Sequence, residues 1–144
     1  MKKLLLTLCT LALLACSKGD DDNKIVYDET KGYLTNLESV KHGIVGTWKI
    51  EFNNTECNNS YLQWVFNKNG KCNYKINTDC VNINQNKTII GEYVVLEENG
   101  KFYVKLDENF LEVFQDPSAL RQEITILTKT TLNLDNVMNN FTRQ

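Results

Sequence analysis

The chain has 144 residues, which is enough for one domain with a single core. It carries 16 lysines and arginines against 18 aspartates and glutamates, so its formal net charge at pH 7 is −2. No basic stripe with interleaved aromatic residues is present in this mildly acidic sequence, which argues against nucleic acid as a partner.

The first fifteen residues have the pattern of a secretory signal peptide. Lys2 and Lys3 form a positive n-region, and residues 4–14 form the apolar h-region. This run is too short to cross a bilayer, because a membrane-spanning helix needs about 20 apolar residues. The alternative, a buried N-terminal helix, is disfavoured because polar residues flank the run at both ends. We therefore predict that residues 1–15 are a signal peptide that is removed.

The residues around Cys16 resemble the lipobox of bacterial lipoproteins, here Leu13-Leu14-Ala15-Cys16. The resemblance implies cleavage just before Cys16, a diacylglyceryl group on its sulfur, and acylation of the new amine by a fatty acid such as palmitate. Two or more acyl chains give a stable membrane anchor, whereas a single chain gives marginal binding. Ordinary cleavage near Ala15, which would leave Cys16 as a free thiol, is the alternative.

The segment after the anchor is polar and acidic. Residues 16–29 have little to bury and are predicted to form a flexible tether. Ser17 follows Cys16, in place of the aspartate that typically retains lipoproteins in the inner membrane. The aspartate run at 20–22 resembles the serine-plus-acidic export signal of some Gram-negative lipoproteins. The resemblance implies a lipid anchor in the outer membrane with exposure on the cell surface, and the periplasmic face is the alternative.

A short helix and then eight strands are predicted for residues 30–144. Apolar side chains recur every three to four positions within residues 30–43, which favours a short amphipathic helix. The period-2 runs that follow are 45–53, 61–67, 71–77, 88–97, 101–107, 120–127, 130–135 and 138–143. Because most of these runs are joined by short turns, they suit an up-and-down barrel or a sandwich with one buried face.

The cysteine pattern predicts one disulfide inside the domain. Cys57, Cys72 and Cys80 lie beyond the signal peptide and the anchor, in an oxidising compartment. A hairpin over 61–77 that turns at 67–70 places Cys57 opposite Cys80, just beyond its open end. Cys72 lies close to the turn and is predicted to be a buried free thiol. A zinc site made of the three cysteines is the alternative, but it lacks a fourth ligand in the hairpin.

The start of the first strand narrows the fold. Gly46 and Trp48, separated by one residue, resemble the Gly-x-Trp signature of the lipocalins, and a late hairpin at 123–134 resembles one of theirs. The resemblance covers residues 44–143 and implies an all-β fold, an eight-stranded antiparallel up-and-down β-barrel preceded by a short N-terminal helix. In such barrels an arginine near the C-terminus stacks on the signature tryptophan, which implies a contact between Arg143 and Trp48. A solvated Arg143 is the alternative.

No catalytic constellation is recognisable in the sequence. His42, the single histidine, is interpreted as a surface residue, not as a base. There is no glycine-rich phosphate loop and no metal-ligand spacing. We therefore expect a protein that is not an enzyme and that uses no metal and no cofactor.

The candidate ligand-lining residues are aromatic and lie on predicted strands: Trp64, Phe66, Tyr74, Tyr93 and Phe102. An eight-stranded barrel is just wide enough to be filled by side chains or to hold one small ligand. One hypothesis is therefore a binding module for a small apolar or amphipathic molecule. The other is an interaction module, such as an inhibitor or accessory subunit of an envelope complex, with a filled barrel. The longest connection, 107–119, is either an extra strand or a lid over the barrel mouth.

Overall fold

The computed structural model describes residues 24–52, 56–81, 83–135 and 140–144, and only the backbone of Ile83. The predicted signal peptide, Cys16 and the aspartate run at 20–22 lie outside the described residues. Within the described ranges, no helix is long and apolar enough to cross a membrane.

Eight antiparallel strands form a closed barrel in simple up-and-down order, and the eighth strand pairs with the first. The strands are β1 (Gly46–Phe52), β2 (Ser60–Phe66), β3 (Lys71–Cys80), β4 (Ile83–Glu98), β5 (Lys101–Leu106), β6 (Arg121–Leu127), β7 (Thr131–Leu134) and β8 (Phe141–Arg143). Each corresponds to one of the eight runs predicted from alternation. The all-β barrel with a preceding short helix is therefore confirmed.

Alternation determines which side chains enter the barrel. In β5, Phe102, Val104 and Leu106 are buried, whereas Lys101 and Lys105 are exposed. The same period-2 pattern, interrupted in β6 by a register shift between Ile124 and Ile126, directs apolar side chains of the other strands inwards, where they form a single core. The lumen of the barrel is therefore the hydrophobic core of the domain.

The helix before the barrel is shorter than predicted. α1 spans Leu37–Ile44, and not residues 30–43, because Asn36 caps its start by accepting the backbone N–H three residues further on at 2.8 Å. The residues before the cap turn back on themselves. Gly32 has φ +62° there, and a Cβ at this position would lie 2.1 Å from the carbonyl oxygen of Leu127. The apolar residues at 33 and 34 thus precede the helix, although their spacing resembles that of a helix.

The ordered part of the domain begins before residue 30. The N–H of Val26 donates to Oγ of Ser39 at 2.6 Å, and the amide of Asn36 donates to the carbonyl of Lys24 at 3.0 Å. Both acceptor and donor side chains lie at the start of α1. Lys24 and Val26, which lie within the predicted tether of residues 16–29, are thus hydrogen-bonded to side chains at the start of α1.

The predicted disulfide is confirmed. β2 and β3 pair in the hairpin register that places Phe66 opposite Cys72. Beyond the Tyr61–Asn77 pair the register shifts by one residue, so that Cys57 lies opposite Cys80 and not Val81, and the two sulfur atoms are bonded at 2.04 Å. Cys72 is a buried free thiol, as predicted. Burial, and secondarily the negative charge of Asp107, raises the pKa of Cys72 to about 12.

β4 is long enough to pair with a different strand along each half. Its first half, Ile83 to Glu92, pairs with β3, and its second half, Tyr93 to Glu98, pairs with β5. The first half is therefore unpaired on the side where β5 pairs with the second half, and the second half is unpaired on the side where β3 pairs with the first. These two edges determine where the remaining segments of the domain can pack.

The long connection after β5 covers one of these edges. It forms a 3-10 turn (Glu108–Phe110), a short helix α2 (Leu111–Phe114) and a second 3-10 turn (Pro117–Leu120), and no extra strand. Asp107 accepts the N–H of Glu92 at 2.7 Å, and the amide of Asn109 donates to the carbonyl of Ile90 at 3.2 Å. Side chains thus satisfy two backbone groups at the end of the first half of β4. We refer to residues 107–120 as the helical cap.

Candidate functional site

The five predicted ligand-lining aromatics lie inside the barrel, where four of them pack against other rings. They are Trp64, Phe66, Tyr74, Tyr93 and Phe102, each 8% exposed or less. The ring centroid of Trp64 lies 4.4 Å from that of Tyr74 and 5.2 Å from that of Phe66. The helical cap adds Phe110 and Phe114, at 5.4 and 6.4 Å from Trp64. The rings fill this part of the lumen with one another, which is the arrangement of a packed core.

The opposite end of the barrel is closed by the signature residues. The guanidinium carbon of Arg143 lies 4.7 Å from the ring centroid of Trp48. Arg143 also donates to the carbonyl oxygens of Gly43, at 3.0 Å, and of Val45. Gly46 has φ +145°, and a Cβ there would lie 3.0 Å from the guanidinium. The arginine therefore joins the end of α1 to β1 and β8.

A cleft of about 930 Å³ opens outside the packed lumen, between α1 and the second half of β4. We call it the α1–β4 cleft; its lining residues include Ile25, Lys41, Lys68, Val94, Leu96 and Arg143. The turn after β2 forms its third wall, and Tyr93 is the one predicted ligand-lining residue that reaches it. Clefts of 300–1,000 Å³ are the size in which proteins bind small molecules. The cleft is therefore the candidate site.

The apolar surface of the cleft is accessible to a ligand. Val94 is 52% exposed and Ile25 is 51% exposed, although both carry large aliphatic side chains. Val45 and Leu96, which also line the cleft, are half-buried. Aliphatic side chains exposed together in a concave surface are typical of a binding site.

Cations dominate the rim of the cleft. Nζ of Lys41 lies 2.7 Å from Oε1 of Glu38. Glu38 carries the one carboxylate among the lining residues of the cleft. Lys68 is exposed and forms no ion pair within the described ranges, and Arg143 is held by carbonyl oxygens and an indole ring. Burial raises the pKa of Tyr93 to about 12, so its hydroxyl stays neutral at physiological pH and donates to a backbone carbonyl. The rim therefore favours a ligand with a negative charge.

The backbone of β4 presents an unpaired edge to the cleft. Opposite residues of an antiparallel ladder alternate between pairs that exchange two hydrogen bonds and pairs that exchange none. The N–H of Tyr93 donates away from β5, to the carbonyl of Gly70 at 2.8 Å, so the Tyr93–Leu106 pair is of the second kind. The Val95–Val104 pair, two residues on, is of the same kind. The N–H and C=O of Val95 thus point towards the cleft, and no described residue hydrogen-bonds to them.

Sequence reasoning did not find this cleft. The available signal was the run Val94-Val95-Leu96, in which three consecutive apolar residues break the alternation of β4. Alternation assigns Val95 to the core, so its two neighbours must expose apolar side chains outside the barrel. The positions of Lys41 and Lys68 on opposite walls depend on tertiary packing and have no local signature.

The described residues contain no group of three or more histidine, cysteine, aspartate or glutamate side chains that could hold a metal ion. His42 is exposed on α1, and its ring lies edge-on to that of Tyr33 at 5.9 Å. The cleft offers cations, aliphatic surface and main-chain groups. These groups suit reversible binding.

No model of a protein family matches the chain, and no curated protein sequence matches it. Among solved structures, the chain is similar to a lipoprotein YedD from Klebsiella pneumoniae, with 10% identity, a TM-score of 0.42, and coverage of 71% of this chain and 72% of that one. It is similar to a protein from Bacteroides thetaiotaomicron, with 15% identity, a TM-score of 0.44, and coverage of 72% and 91%. It is also similar to a lipocalin-like protein from Bacteroides uniformis, with 17% identity, a TM-score of 0.41, and coverage of 70% and 96%.

The architecture follows from the coordinates of this chain. Eight antiparallel strands close in sequential order, a short helix leads into β1, and the helix end, Trp48 and Arg143 close one end of the barrel. By these features the described domain has the up-and-down β-barrel fold that the resemblance to the lipocalins predicts.

Proposed function

We propose that the protein is a lipid-anchored, non-catalytic binding module that holds a small amphipathic molecule in the α1–β4 cleft. The observation that carries the proposal is a cleft of about 930 Å³ with aliphatic walls and a cationic rim, beside a lumen filled by aromatic rings. The sequence placed the candidate ligand-lining residues in the lumen and left open whether the lumen is filled or holds a ligand. The packing favours the cleft.

The chemistry of the cleft defines the ligand. Ile25, Val94 and Leu96 offer aliphatic contacts, and each buried methylene of a ligand would contribute about 0.8 kcal/mol. Lys68 and Lys41 lie at the rim, where they attract an anionic group. A molecule with an apolar part and a carboxylate, phosphate or sulfate matches both features. A purely apolar molecule would leave the cations unused.

Val94→Asp is expected to weaken binding of dodecanoate, used as a probe, by about tenfold or more. The substitution places a carboxylate on the apolar wall, where it repels the anionic probe and removes aliphatic contact. Ile90→Asp is the matched control, because Ile90 is 64% exposed on the same face of β4 but does not line the cleft. Isothermal titration calorimetry of the purified variants measures the two affinities. Equal affinities for the two variants would contradict the proposed site.

The anchor is the second part of the proposal. The lipobox-like sequence at Cys16 supports lipidation, and Ser17 with the aspartate run at 20–22 supports transport to the outer membrane and the cell surface. Ile25 is nine residues from Cys16, so at most about 30 Å of chain separates the cleft from the anchor. A ligand of membrane origin would therefore have a short path to the site.

Cys16→Ser is expected to abolish incorporation of an alkynyl palmitate analogue and to move the protein from the membrane fraction to the soluble fraction. Serine lacks the thiol that accepts the diacylglyceryl group. Cys72→Ser controls for labelling of a buried thiol and should leave incorporation unchanged. Protease treatment of intact cells then distinguishes surface exposure from the periplasmic face. Normal labelling of the Cys16→Ser variant would exclude this cysteine as the anchor.

A further inference from the structure

We propose that the ligand of the α1–β4 cleft is an extended, acidic peptide segment whose main chain pairs with the free edge of β4. The inference rests on the proposed function for the location of the site, and it adds the chemical class of the ligand. Its basis is the juxtaposition of the unpaired Val95 main chain, an aliphatic wall and a cationic rim.

The free edge of β4 continues the path of β3. β3 pairs with β4 as far as Lys71 and Glu92, and one further hydrogen bond joins Tyr93 to Gly70. Beyond Gly70 the chain has turned away into β2, so the position beside Val95 holds no strand among the described residues. A ligand strand placed there would lie 4.7–4.9 Å from β4, at the ordinary spacing of a sheet. It would pair with the second half of β4, which β3 does not reach.

The other free edge of β4 differs in a way that supports this interpretation. Along the first half of the strand, Asp107 and Asn109 of the helical cap satisfy the N–H of Glu92 and the carbonyl of Ile90. The protein therefore covers this edge at residues 90 and 92 with its own side chains. Edge strands left open in soluble proteins can pair with an added strand, and recognition by strand addition uses such edges.

The side chains around the open edge specify the peptide. Val94 is exposed and lines the cleft together with Ile25, so alternate peptide residues on that face should be aliphatic. Lys68 lies in the turn at one end of the edge and Lys41 on the facing helix, so an acidic side chain or a terminal carboxylate has cationic partners. Main-chain pairing would give affinity, and these contacts would give specificity.

The experiment uses the N-acetylated tetrapeptide Val-Thr-Val-Asp as the parent peptide. A set of analogues carries a methyl group on one amide nitrogen each. In a strand, alternate amides face the same neighbour. A methyl group on an amide that faces β4 should therefore weaken binding by tenfold or more. A methyl group on one of the alternate amides, which face away from β4, should change the affinity less than twofold. Calorimetry measures the affinities. Hydrogen exchange at the Val95 amide, followed by NMR, should slow on addition of the parent peptide but not of dodecanoate.

The outcomes separate this inference from the proposed function. Binding of dodecanoate in the cleft without binding of the peptide would overturn the peptide inference and leave the proposed function standing. Failure of both probes would overturn both. Peptide binding that is indifferent to the position of methylation, or equal in the Val94→Asp and Ile90→Asp variants, would also overturn the inference. Because the methyl groups are on the ligand, the folding of the protein is unaffected.

Lys68→Glu provides a second test that leaves the strand edge intact. This variant should bind the acidic peptide about tenfold more weakly, and a peptide with asparagine in place of aspartate should be much less affected. Lys71→Glu is the matched control, because Lys71 is exposed in the same hairpin, changes the net charge equally, and does not line the cleft. Equal losses in the two variants would show that only the overall charge matters, which would contradict the assignment of the acidic group to this rim.

Discussion

Replacing Trp64 with alanine is expected to lower the free energy of unfolding by about 4 kcal/mol. The indole is 1% exposed, and its centroid lies within 6.4 Å of the rings of Phe66, Tyr74, Phe110 and Phe114. Its removal leaves a cavity at the point where strands β2 and β3 meet the helical cap. The surrounding rings cannot close it without leaving their own contacts.

Urea unfolding followed by far-ultraviolet circular dichroism measures this loss. Tyr61→Ala is the matched control, since Tyr61 lies in the same strand but is only half-buried and contacts the ammonium groups of Lys49 and Lys75. Its expected cost is about 1 kcal/mol. Equal costs for the two variants would contradict a packed lumen, because a ring beside an open cavity would lose little on truncation.

The double substitution Cys57→Ser and Cys80→Ser is expected to lower the free energy of unfolding by about 3 kcal/mol. The disulfide links residues separated by 23 positions and encloses the β2–β3 hairpin, so it restricts the unfolded chain over that length. Its position beyond the last ladder pair of the hairpin also holds the open end of the two strands together.

Reduction offers an independent measurement of the same quantity. The unsubstituted protein in dithiothreitol should unfold at the urea concentration of the double variant in the absence of reductant. The double variant should be insensitive to dithiothreitol, because its remaining domain cysteine, Cys72, is buried and free. An unchanged midpoint for the reduced protein would mean that the disulfide contributes nothing to stability.

Local patterns in the sequence were sufficient for much of the fold. Alternation located all eight strands, and the symmetry of the hairpin about its turn placed Cys57 within one residue of its observed partner, Cys80. Both inferences concern residues whose relative positions are set by a short stretch of ladder. Apolar spacing alone predicts a helix from residue 30, whereas the capping side chain of Asn36 sets its start at Leu37.

The candidate site depends on relations between residues far apart in the sequence. The inward direction of Trp64, Phe66 and Tyr74 followed from alternation, but alternation does not tell a filled lumen from an empty one. The lumen is filled because Phe110 and Phe114 of the helical cap pack against those rings. The cleft likewise exists because β4 extends beyond β3 and α1 packs opposite the exposed edge. Neither the packing of the helical cap nor that of α1 opposite β4 produces a periodic pattern in the sequence.

The alternation of β4 has a consequence for how this protein could diversify. Tyr93 and Val95 face the core, whereas Val94 and Leu96 face the cleft, on the same short stretch of backbone. A substitution at an even-numbered position can alter the shape or charge of the site with little cost to packing, while odd-numbered positions remain constrained by the core. Specificity and stability are thereby assigned to different residues of one strand. Such a division lets mutation explore new ligands on an unchanged scaffold.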